Sequence, residues 1–217
     1  MGIWSKIRIL WNLSWRKFIY YNFFCTKVVR KGKGYVLPYP NAVIDLGKDA
    51  QVILEDGHFV INDNKPSGSK AEAFLKLREN ATLLIHHDVV LNYKATIEIH
   101  KGATIEIGSA YINSNAVILA AKRITMGEGI LISREVFIYD ADHHPIINAS
   151  GEQLNLPRPV VIGNHVWIGL KCTLLRGSKI GDGAVIAANS LVGGKIKAGT
   201  MASGNPARSY SEIIWKG

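Results

Sequence analysis

Two adjacent histidines stand in the stretch DADHHPI, residues 140–146, where two carboxylates precede them and a proline follows. An imidazole titrates near physiological pH, so His143 or His144 could take a proton from a hydroxyl or an amine. In that case Asp140 or Asp142 could orient the ring. The same residues could also be metal ligands, or they could form a polar turn without a chemical role. Residue types alone leave these three interpretations open.

A metal site requires three or four ligands that converge on one point. The histidines that could join such a set are scattered along the sequence: His86, His87, His100, His143, His144 and His165. The two cysteines, Cys25 and Cys172, have neither the spacing of a metal knuckle nor that of a disulfide framework. We therefore expect no metal, and we expect a reducing compartment.

The charge of the chain is concentrated at its N-terminus. The 217 residues carry a formal net charge of +9, and the segment 1–34 contains eight Lys or Arg and no acid. The rest of the chain is close to neutral, which argues against a nucleic-acid-binding body. No run of about 20 apolar residues exists to span a membrane, and we expect no secretory signal.

The basic N-terminal segment is also aromatic. Apolar residues recur at intervals of three and four, as expected for one face of a helix: Trp4, Ile7, Trp11, Trp15 and Phe18. A helix of this composition can lie in a membrane interface, with its cations on anionic lipid. Alternatively, the same face packs on the protein body or on a neighbouring subunit. The sequence leaves both alternatives open for residues 1–24.

A repeat of six residues dominates the C-terminal part of the sequence. Every sixth residue is aliphatic or small: Ile162, Ile168, Leu174, Ile180, Ile186, Val192 and Ala198. The residue after it is Gly or Ala in all but one case, which suits a sharp turn. Met126, Ile132 and Ile138 keep the same phase, whereas Ile112 and Ile118 are two residues out of phase. We therefore predict a two-residue insertion between residues 120 and 123.

One hexad corresponds to one short strand and one turn, so three hexads close a triangular coil around a narrow core. Stacked coils pair as parallel strands about 4.8 Å apart and need caps at both ends. We predict an arm over 1–34, a β-helix over 35–203 with a projecting loop at 140–159, and a tail over 204–217. The register is lost before about residue 80.

The hexads resemble those of the hexapeptide-repeat acyltransferases. This resemblance covers about residues 95–208 and implies an all-β fold, a left-handed parallel β-helix, here with an N-terminal amphipathic helix. Within that family the chain is most similar to the galactoside, maltose and polysaccharide O-acetyltransferases. Relatives of the same fold include carbonic anhydrases and structural subunits without activity, so local motifs have to decide the function.

The segment YINSN, residues 111–115, resembles the stretch that precedes the active site in these acetyltransferases. It implies that Asn113 and Tyr111 bind the acceptor. The loop DADHHPI resembles the segment that carries their histidine base, and the match selects His144. We expect Asp142 to orient this base, with Asp140 as the alternative, and His143 to be a loop residue that touches the acceptor.

The segment IGNHVWIG and the later ASGNPAR resemble the end of the site that binds coenzyme A. The resemblance assigns Trp167, Gly169, Leu170, Ala187 and Arg208 to the cofactor. A backbone N–H at the Gly169–Leu170 turn would meet the oxyanion of the intermediate. A lysine that relatives use for the cofactor has no secure counterpart in VGGK, residues 192–195.

The resemblance implies an acetyl-CoA-dependent O-acetyltransferase that forms a homotrimer with active sites between subunits. The expected acceptor is a sugar hydroxyl of a cell-envelope polysaccharide or its lipid-linked precursor, at the cytoplasmic face of the membrane. Two alternatives remain open. The first is an antibiotic or free-sugar acetyltransferase, and the second is a β-helix scaffold without catalytic activity.

Overall fold

The computed structural model of the protein describes residues 13–216. Within them the chain visits three sheets in rotation, so that neighbouring parallel strands of a sheet are three strands apart in sequence. All neighbours are parallel except the last pair of the second sheet. The chain therefore winds as a three-sided parallel β-helix, with one strand of every coil on each side.

The strands are numbered in chain order. The first sheet contains β1 Val28–Arg30, β4 Gln51–Leu54, β7 Thr82–Ile85, β10 Thr104–Ile107, β13 Arg123–Met126, β16 Val160–Ile162, β19 Lys179–Ile180 and β22 Lys195–Ile196. The second contains β2 Val36–Pro38, β5 Phe59–Asp63, β8 Val89–Asn92, β11 Ala110–Ile112, β14 Ile130–Ile132, β17 Trp167–Ile168, β20 Val185–Ile186, β23 Thr200–Gly204 and β24 Ala207–Glu212. The third contains β3 Ala42–Leu46, β6 Ala73–Leu77, β9 Thr96–Ile99, β12 Val117–Ala120, β15 Phe137–Tyr139, β18 Thr173–Leu174 and β21 Leu191–Val192.

The hexad pattern predicts the core of the C-terminal coils correctly. Ile162, Ile168 and Leu174 are buried, one on each side of the prism, and the residue before each points outward. Leu174 pairs with Val192, which lies one coil of three hexads further along the chain. The aliphatic ladders thus fill a narrow interior that excludes water, and this burial stabilises the fold.

The N-terminal coils are longer than three hexads. Leu83 pairs with Ile105, and Ile44 pairs with Leu75, so these two coils also differ in length from each other. Strands such as β7, β9 and β10 have four residues here, and each places two side chains in the core. A fixed period of six cannot describe coils of unequal length, which explains why the register is lost before residue 80.

The last coil is shorter than predicted. Ile180 pairs with Ile196, two positions short of three hexads. Ile196 is buried, whereas Ala198 is exposed, so the assignment of Ala198 to the inward ladder is wrong. The chain passes from the third sheet to the first through Gly193 and Gly194, and this step is shorter than a full hexad.

The predicted loop leaves the prism at the corner between the third and first sheets. Four hexads lie between Ile138 of β15 and Ile162 of β16, whereas in a regular coil one hexad connects a strand to the next. Asp140 lies at the base of the loop, fully buried, and its carboxylate accepts three backbone N–H groups from residues 121–123 at 2.6–2.8 Å. These residues are the ones in which we predicted an insertion, so the insertion forms the anchor of the loop.

A short helix, α1 Trp15–Ile19, continues as a π-helical turn over Tyr20–Phe24 at the N-terminal end of the prism. Its inner side packs on the body, because Leu13 is buried with Leu37 and Tyr39, and Phe18 packs against them. The Asn22 side chain also exchanges two hydrogen bonds with Val36.

The outer side of this helical segment remains exposed. Trp15 lies there, while Phe18 of the predicted stripe faces inward. The stripe residues Trp4, Ile7 and Trp11 lie outside the described residues. The first strand of the prism, β1, falls inside the segment 1–34 that the sequence assigns to the arm. No helix among residues 13–216 is both long and apolar enough to cross a bilayer.

Candidate active site

The projecting loop gathers aromatic and imidazole rings around a cleft of about 280 Å³ lined by His100, His143, His144 and Asn155, among others. The ring centroids of His100 and His143 are 5.0 Å apart, and Tyr139 meets His143 edge-on. Burial lowers the pKa of His100, and the charges of Arg78 and His143 lower it further. A neutral His100 therefore sits under the loop at neutral pH.

The imidazole of His144 is exposed and has no hydrogen-bond partner within residues 13–216. Its backbone is fixed from both sides. The His144 N–H donates to the carbonyl of Asp142 at 2.8 Å, and its own carbonyl accepts from the Asn155 side chain at 2.7 Å. The two ring nitrogens of His144 thus have no partner among the described residues, while hydrogen bonds hold its backbone in place. This arrangement suits a general base.

The carboxylate of Asp142 has a different partner from the one expected. It accepts a hydrogen bond from the Arg176 guanidinium at 2.8 Å, and no contact links it to the His144 ring. Burial would raise the pKa of Asp142, but hydrogen bonds from Arg176 and Asn155 outweigh it, so the pKa lies below its ordinary value. The carboxylate of Asp140 is occupied by the backbone N–H groups of residues 121–123 at the base of the loop. Neither carboxylate orients the His144 ring within this chain.

The outward face of the second sheet carries the remaining predicted residues in register. Tyr111 lies opposite Leu131 on the next strand, and Leu131 lies opposite Trp167. Tyr111 and Trp167 are 37% and 38% exposed, so both rings are open to a ligand. The Tyr111 hydroxyl accepts a hydrogen bond from Asn64 at 2.5 Å. Adjacent coils are about 4.8 Å apart, so the two rings are separated by about 10 Å.

The corner after this sheet holds a second ladder, two positions further along each coil. It contains Asn113, Ser133, Gly169 and Ala187. The Asn113 amide donates to the carbonyl of Ile132, and the Trp167 indole N–H donates to the hydroxyl of Ser133 at 3.1 Å. The hexad phase predicted that Trp167 points outward. No pattern in the sequence indicated that Ser133 would accept the hydrogen bond of its indole N–H.

The Gly169–Leu170 turn is tightly packed. A side chain at Gly169 would lie 2.6 Å from the carbonyl oxygen of Ile186, which explains the glycine. The Gly169 N–H donates to that same oxygen at 2.8 Å and is therefore not free for an oxyanion. The Leu170 N–H has no acceptor in the described part of the chain, so it is the remaining candidate.

Arg208 lies on β24 at the C-terminal end of the same sheet. Its guanidinium is exposed, donates only to the carbonyl of Ala207 and forms no ion pair with the described residues. An unpaired arginine is suited to bind phosphate oxygens, as two N–H groups can contact one anion.

The predicted residues thus form two clusters on opposite parts of the prism. His143 and His144 lie at the corner between the third and first sheets, whereas Tyr111 and Trp167 point outward from the second sheet. In a three-sided prism, that corner is opposite the second side. One chain therefore does not bring its own histidine to its own tryptophan.

An aromatic contact at the C-terminus was missed by sequence reasoning. Trp215 stacks on His165 with ring centroids 3.9 Å apart and planes 2° from parallel, and it lies 6.0 Å from Trp167. A tryptophan in a short tail carries no periodic signal, so only the fold reveals its position.

The structure also bears on the metal alternative. No group of three or more His, Cys, Asp or Glu side chains within residues 13–216 converges as metal ligands.

The sequence matches the family model "Bacterial transferase hexapeptide (six repeats)" over residues 159–194. It is 36% identical to the galactoside O-acetyltransferase of Escherichia coli K12 over 115 residues, which are 52% of this chain and 56% of the relative. It is 30% identical to the polysialic acid O-acetyltransferase of Neisseria meningitidis over 48% of this chain and 49% of the relative. The chain spans less than two thirds of the length of the curated relatives it matches.

The fold is also similar to the crystal structure of the polysialic acid O-acetyltransferase OatWY. The TM-score is 0.63 at 23% identity, over 87% of this chain and 90% of the other. This likeness confirms the predicted fold class. The chain is therefore a left-handed β-helix protein that carries the bacterial transferase hexapeptide repeat and is related in sequence to O-acetyltransferases.

Proposed function

We propose that the protein is an acetyl-CoA-dependent O-acetyltransferase that acts on a sugar hydroxyl. The names of its relatives support the reaction, since both a galactoside and a polysialic acid O-acetyltransferase are similar in sequence. A putative lipopolysaccharide O-acetyltransferase of Escherichia coli K12 is 32% identical over 50% of this chain. These acceptors share saccharide chemistry, which favours a polysaccharide or its lipid-linked precursor as the substrate class.

The observation that carries the proposal is the ladder along the second sheet. Tyr111 and Asn113 lie on one coil, Ser133 on the next, and Trp167 and Gly169 on the one after it. Ala187 follows one coil later, and Arg208 ends the series. An extended cofactor laid along this edge would place its phosphates near Arg208 and its thioester between Trp167 and the acceptor residues.

The chemistry follows from the free imidazole of His144. The ring takes the proton of the acceptor hydroxyl, the oxygen attacks the thioester carbonyl, and an O–C bond forms. The tetrahedral oxyanion is met by the Leu170 N–H. When the C–S bond breaks, the imidazolium returns its proton to the thiolate of coenzyme A. Asp142 acts as a positioning residue, because Arg176 holds its side chain and its carbonyl holds the His144 N–H.

Direct transfer does not need a covalent enzyme intermediate. Cys172 is buried, its thiol donates to the carbonyl of Ala187 at 3.0 Å, and burial raises its pKa. A thiol in this environment is a poor nucleophile, since the thiolate is the reactive form. Cys172 is fully buried in the core, as expected for a structural residue.

We further propose that the active site forms between subunits of a homotrimer. The opposite placement of His144 and Trp167 within one chain supports this arrangement. The second and third sheets both carry apolar residues that point outward, among them Leu131, Phe74 and Phe137. Two different apolar sides on one chain suit a closed ring, in which one side of each subunit contacts the other side of the next.

The acceptor could be presented at a membrane surface. The helical segment exposes Trp15, Tyr20, Phe23 and Phe24 at the N-terminal end of the prism, next to the cations of the arm. Aromatic rings and cations side by side suit the headgroup region of an anionic bilayer. We therefore propose a peripheral contact with the cytoplasmic face of the membrane.

An acetyl-transfer assay tests the function directly. Purified protein, acetyl-CoA and a panel of free sugars, oligosaccharides and aminoglycosides are incubated, and release of coenzyme A is measured together with the mass of the product. A gain of one acetyl group on a sugar hydroxyl is expected. Transfer to an aminoglycoside alone would support the antibiotic alternative. No transfer, together with no coenzyme A binding, would support the scaffold alternative.

A further inference from the structure

A cavity of about 360 Å³ lies at the corner between the first and second sheets. It is lined by Asp88, Tyr111, Leu131, His165 and Trp215, among others. Its volume is within the range of small-ligand sites. Trp167, Gly169 and Ala187 do not line it, but it adjoins the predicted cofactor edge, because the ring centroids of Trp215 and Trp167 are 6.0 Å apart. It also shares Tyr111 with the acceptor residues.

Trp215 is fixed in this cavity by three contacts to His165. The two rings stack, the indole N–H donates to the carbonyl of His165 at 3.0 Å, and the imidazole Nε2 contacts the carbonyl of Trp215 at 3.1 Å. Since a carbonyl only accepts, Nε2 carries the proton. One face of the indole is covered by His165, and the half-buried ring lines the cavity.

The electrostatics of this corner do not suit an anion. Asp88 uses one carboxylate oxygen to accept the N–H of His58 at 2.7 Å, and the other has no partner in the described part of the chain. Glu128 lies at the same corner, where Ser109 and His87 donate to its two oxygens. Two carboxylates beside the cavity would repel the phosphates of coenzyme A.

From these features we infer that the cavity is a subsite for a neutral sugar ring, adjacent to the ring that receives the acetyl group. A pyranose has an apolar face of C–H bonds, which packs on Trp215 or Tyr111, and hydroxyls at its edge, which donate to the free oxygen of Asp88. The inference rests on the proposed saccharide acceptor and makes it more specific: the acceptor is an oligosaccharide, and its neighbouring ring is uncharged.

The test measures binding without acetyl-CoA, so its result does not depend on transfer activity. The intact protein is titrated calorimetrically with maltotetraose, a galactose tetrasaccharide and chitotetraose, with the matching monosaccharides, and with a sialic acid tetramer. At least one neutral tetrasaccharide should bind more than about tenfold tighter than its monosaccharide. Trp215→Ala and Asp88→Asn should each weaken that binding about fivefold or more.

Two further variants control the experiment. Trp215→Phe keeps a stacking ring and should retain most of the affinity. Tyr210→Ala removes an exposed aromatic side chain from the same terminal segment and should leave the affinity unchanged. Thermal melting of each variant reports whether it folds, and Asp88→Asn still tests the site if Trp215→Ala is unstable.

Three outcomes would overturn the inference. They are tetrasaccharides that bind no tighter than monosaccharides, a sialic acid tetramer that binds tighter than every neutral one, and a Trp215→Ala variant that loses coenzyme A affinity and keeps saccharide affinity. Saccharide binding with no acetyl transfer to any acceptor would instead contradict the proposed function and leave the subsite intact.

Discussion

His144 and His143 are neighbours in sequence, but their surroundings differ. The His144 ring has no partner within the described residues, while the His143 ring contacts the rings of His100 and Tyr139. His144→Ala should therefore lower kcat by about 10²- to 10⁴-fold, the usual contribution of a general base. His143→Ala should change kcat less than about tenfold. Steady-state kinetics with saturating acetyl-CoA separates the two.

A conservative substitution of His144 offers a control. His144→Gln keeps a polar side chain that cannot act as a base, so its kcat should be as low as that of His144→Ala. If the His143 variant loses more activity than the His144 variant, the alignment of this loop with its relatives is wrong by one residue.

His86 bridges two carboxylates on the outside of the first sheet. Its Nδ1 lies 2.8 Å from Glu55 and its Nε2 lies 3.1 Å from Glu106. The hydrogen bond to Glu55, followed by that to Glu106, raises the pKa of His86 above 6.5 despite partial burial. The folded state therefore binds the proton more tightly than the unfolded state.

Because the folded pKa is raised, this stabilisation is complete below pH 6.5 and is lost as the pH rises through the folded pKa. His86→Gln should reduce stability more at about pH 5.5 than at about pH 8, by less than about 1 kcal/mol because the group is partly exposed. Urea unfolding at the two pH values measures this. An equal loss at both would contradict the assigned protonation.

At the scale of elements, the loop depends on the buried carboxylate of Asp140. It accepts the N–H groups of residues 121–123 and connects the base of the loop to the insertion after β12. Asp140→Asn replaces one acceptor oxygen with an amino group that faces donors. We expect a loss of about 2–4 kcal/mol in the free energy of unfolding, since hydrogen bonds to a charged group are strong and unpaired buried donors are costly.

Asp142→Asn provides a matched control for this prediction. Asp142 lies on the same loop but is exposed, with one guanidinium partner. Its substitution should cost less than about 1 kcal/mol, as for other exposed ion pairs. Chemical denaturation of both variants gives the comparison, and equal losses would mean that the Asp140 contacts do not anchor the loop.

The sequence predicts the C-terminal coils well because each hexad there contributes one inward residue at a fixed spacing. It fails at the ends for physical reasons. The N-terminal coils place two residues per strand inward, and the last coil is shortened at Gly193–Gly194, so no constant period describes them. Periodicity also cannot reveal contacts between distant segments, such as Asp142 with Arg176 or Trp215 with His165.

At the scale of the whole molecule, the separation of His144 from Trp167 predicts complementation between inactive subunits. His144→Ala and Trp167→Ala chains are co-expressed with different tags, and mixed oligomers are purified through both tags. If each site takes its histidine from one chain and its tryptophan from the next, every mixed trimer regains one of its three sites, so about a third of the sites in the doubly purified oligomers should be active.

The control for complementation is a mixture of the two variants purified separately and combined without unfolding, in which exchange is slow. Activity should appear only after co-expression. If co-expressed oligomers stay as inactive as either parent, the histidine and the tryptophan of one site come from the same chain.

The exposed aromatic rings of the helical segment should contribute to binding at a membrane surface. Phe24 is 71% exposed and Phe23 is 59% exposed, with the Arg30 guanidinium 5.3 Å from the Phe23 ring. Deleting the whole segment would also remove the buried contacts of Phe18 and Asn22, so point variants are the sharper test. Phe23→Ser together with Phe24→Ser should lower vesicle binding more than about tenfold, given the area each ring would bury.

The measurement is co-sedimentation of the protein with anionic and neutral vesicles at low and high salt. Wild-type protein should sediment with anionic vesicles and be released by salt, because the contact of the basic arm is screened. Ile214→Ser, which changes an exposed apolar residue at the other end of the chain, should behave as wild type. Wild-type protein that stays in the supernatant with anionic vesicles at low salt would rule out the membrane contact, whereas the acetyl-transfer proposal rests on other residues and would remain.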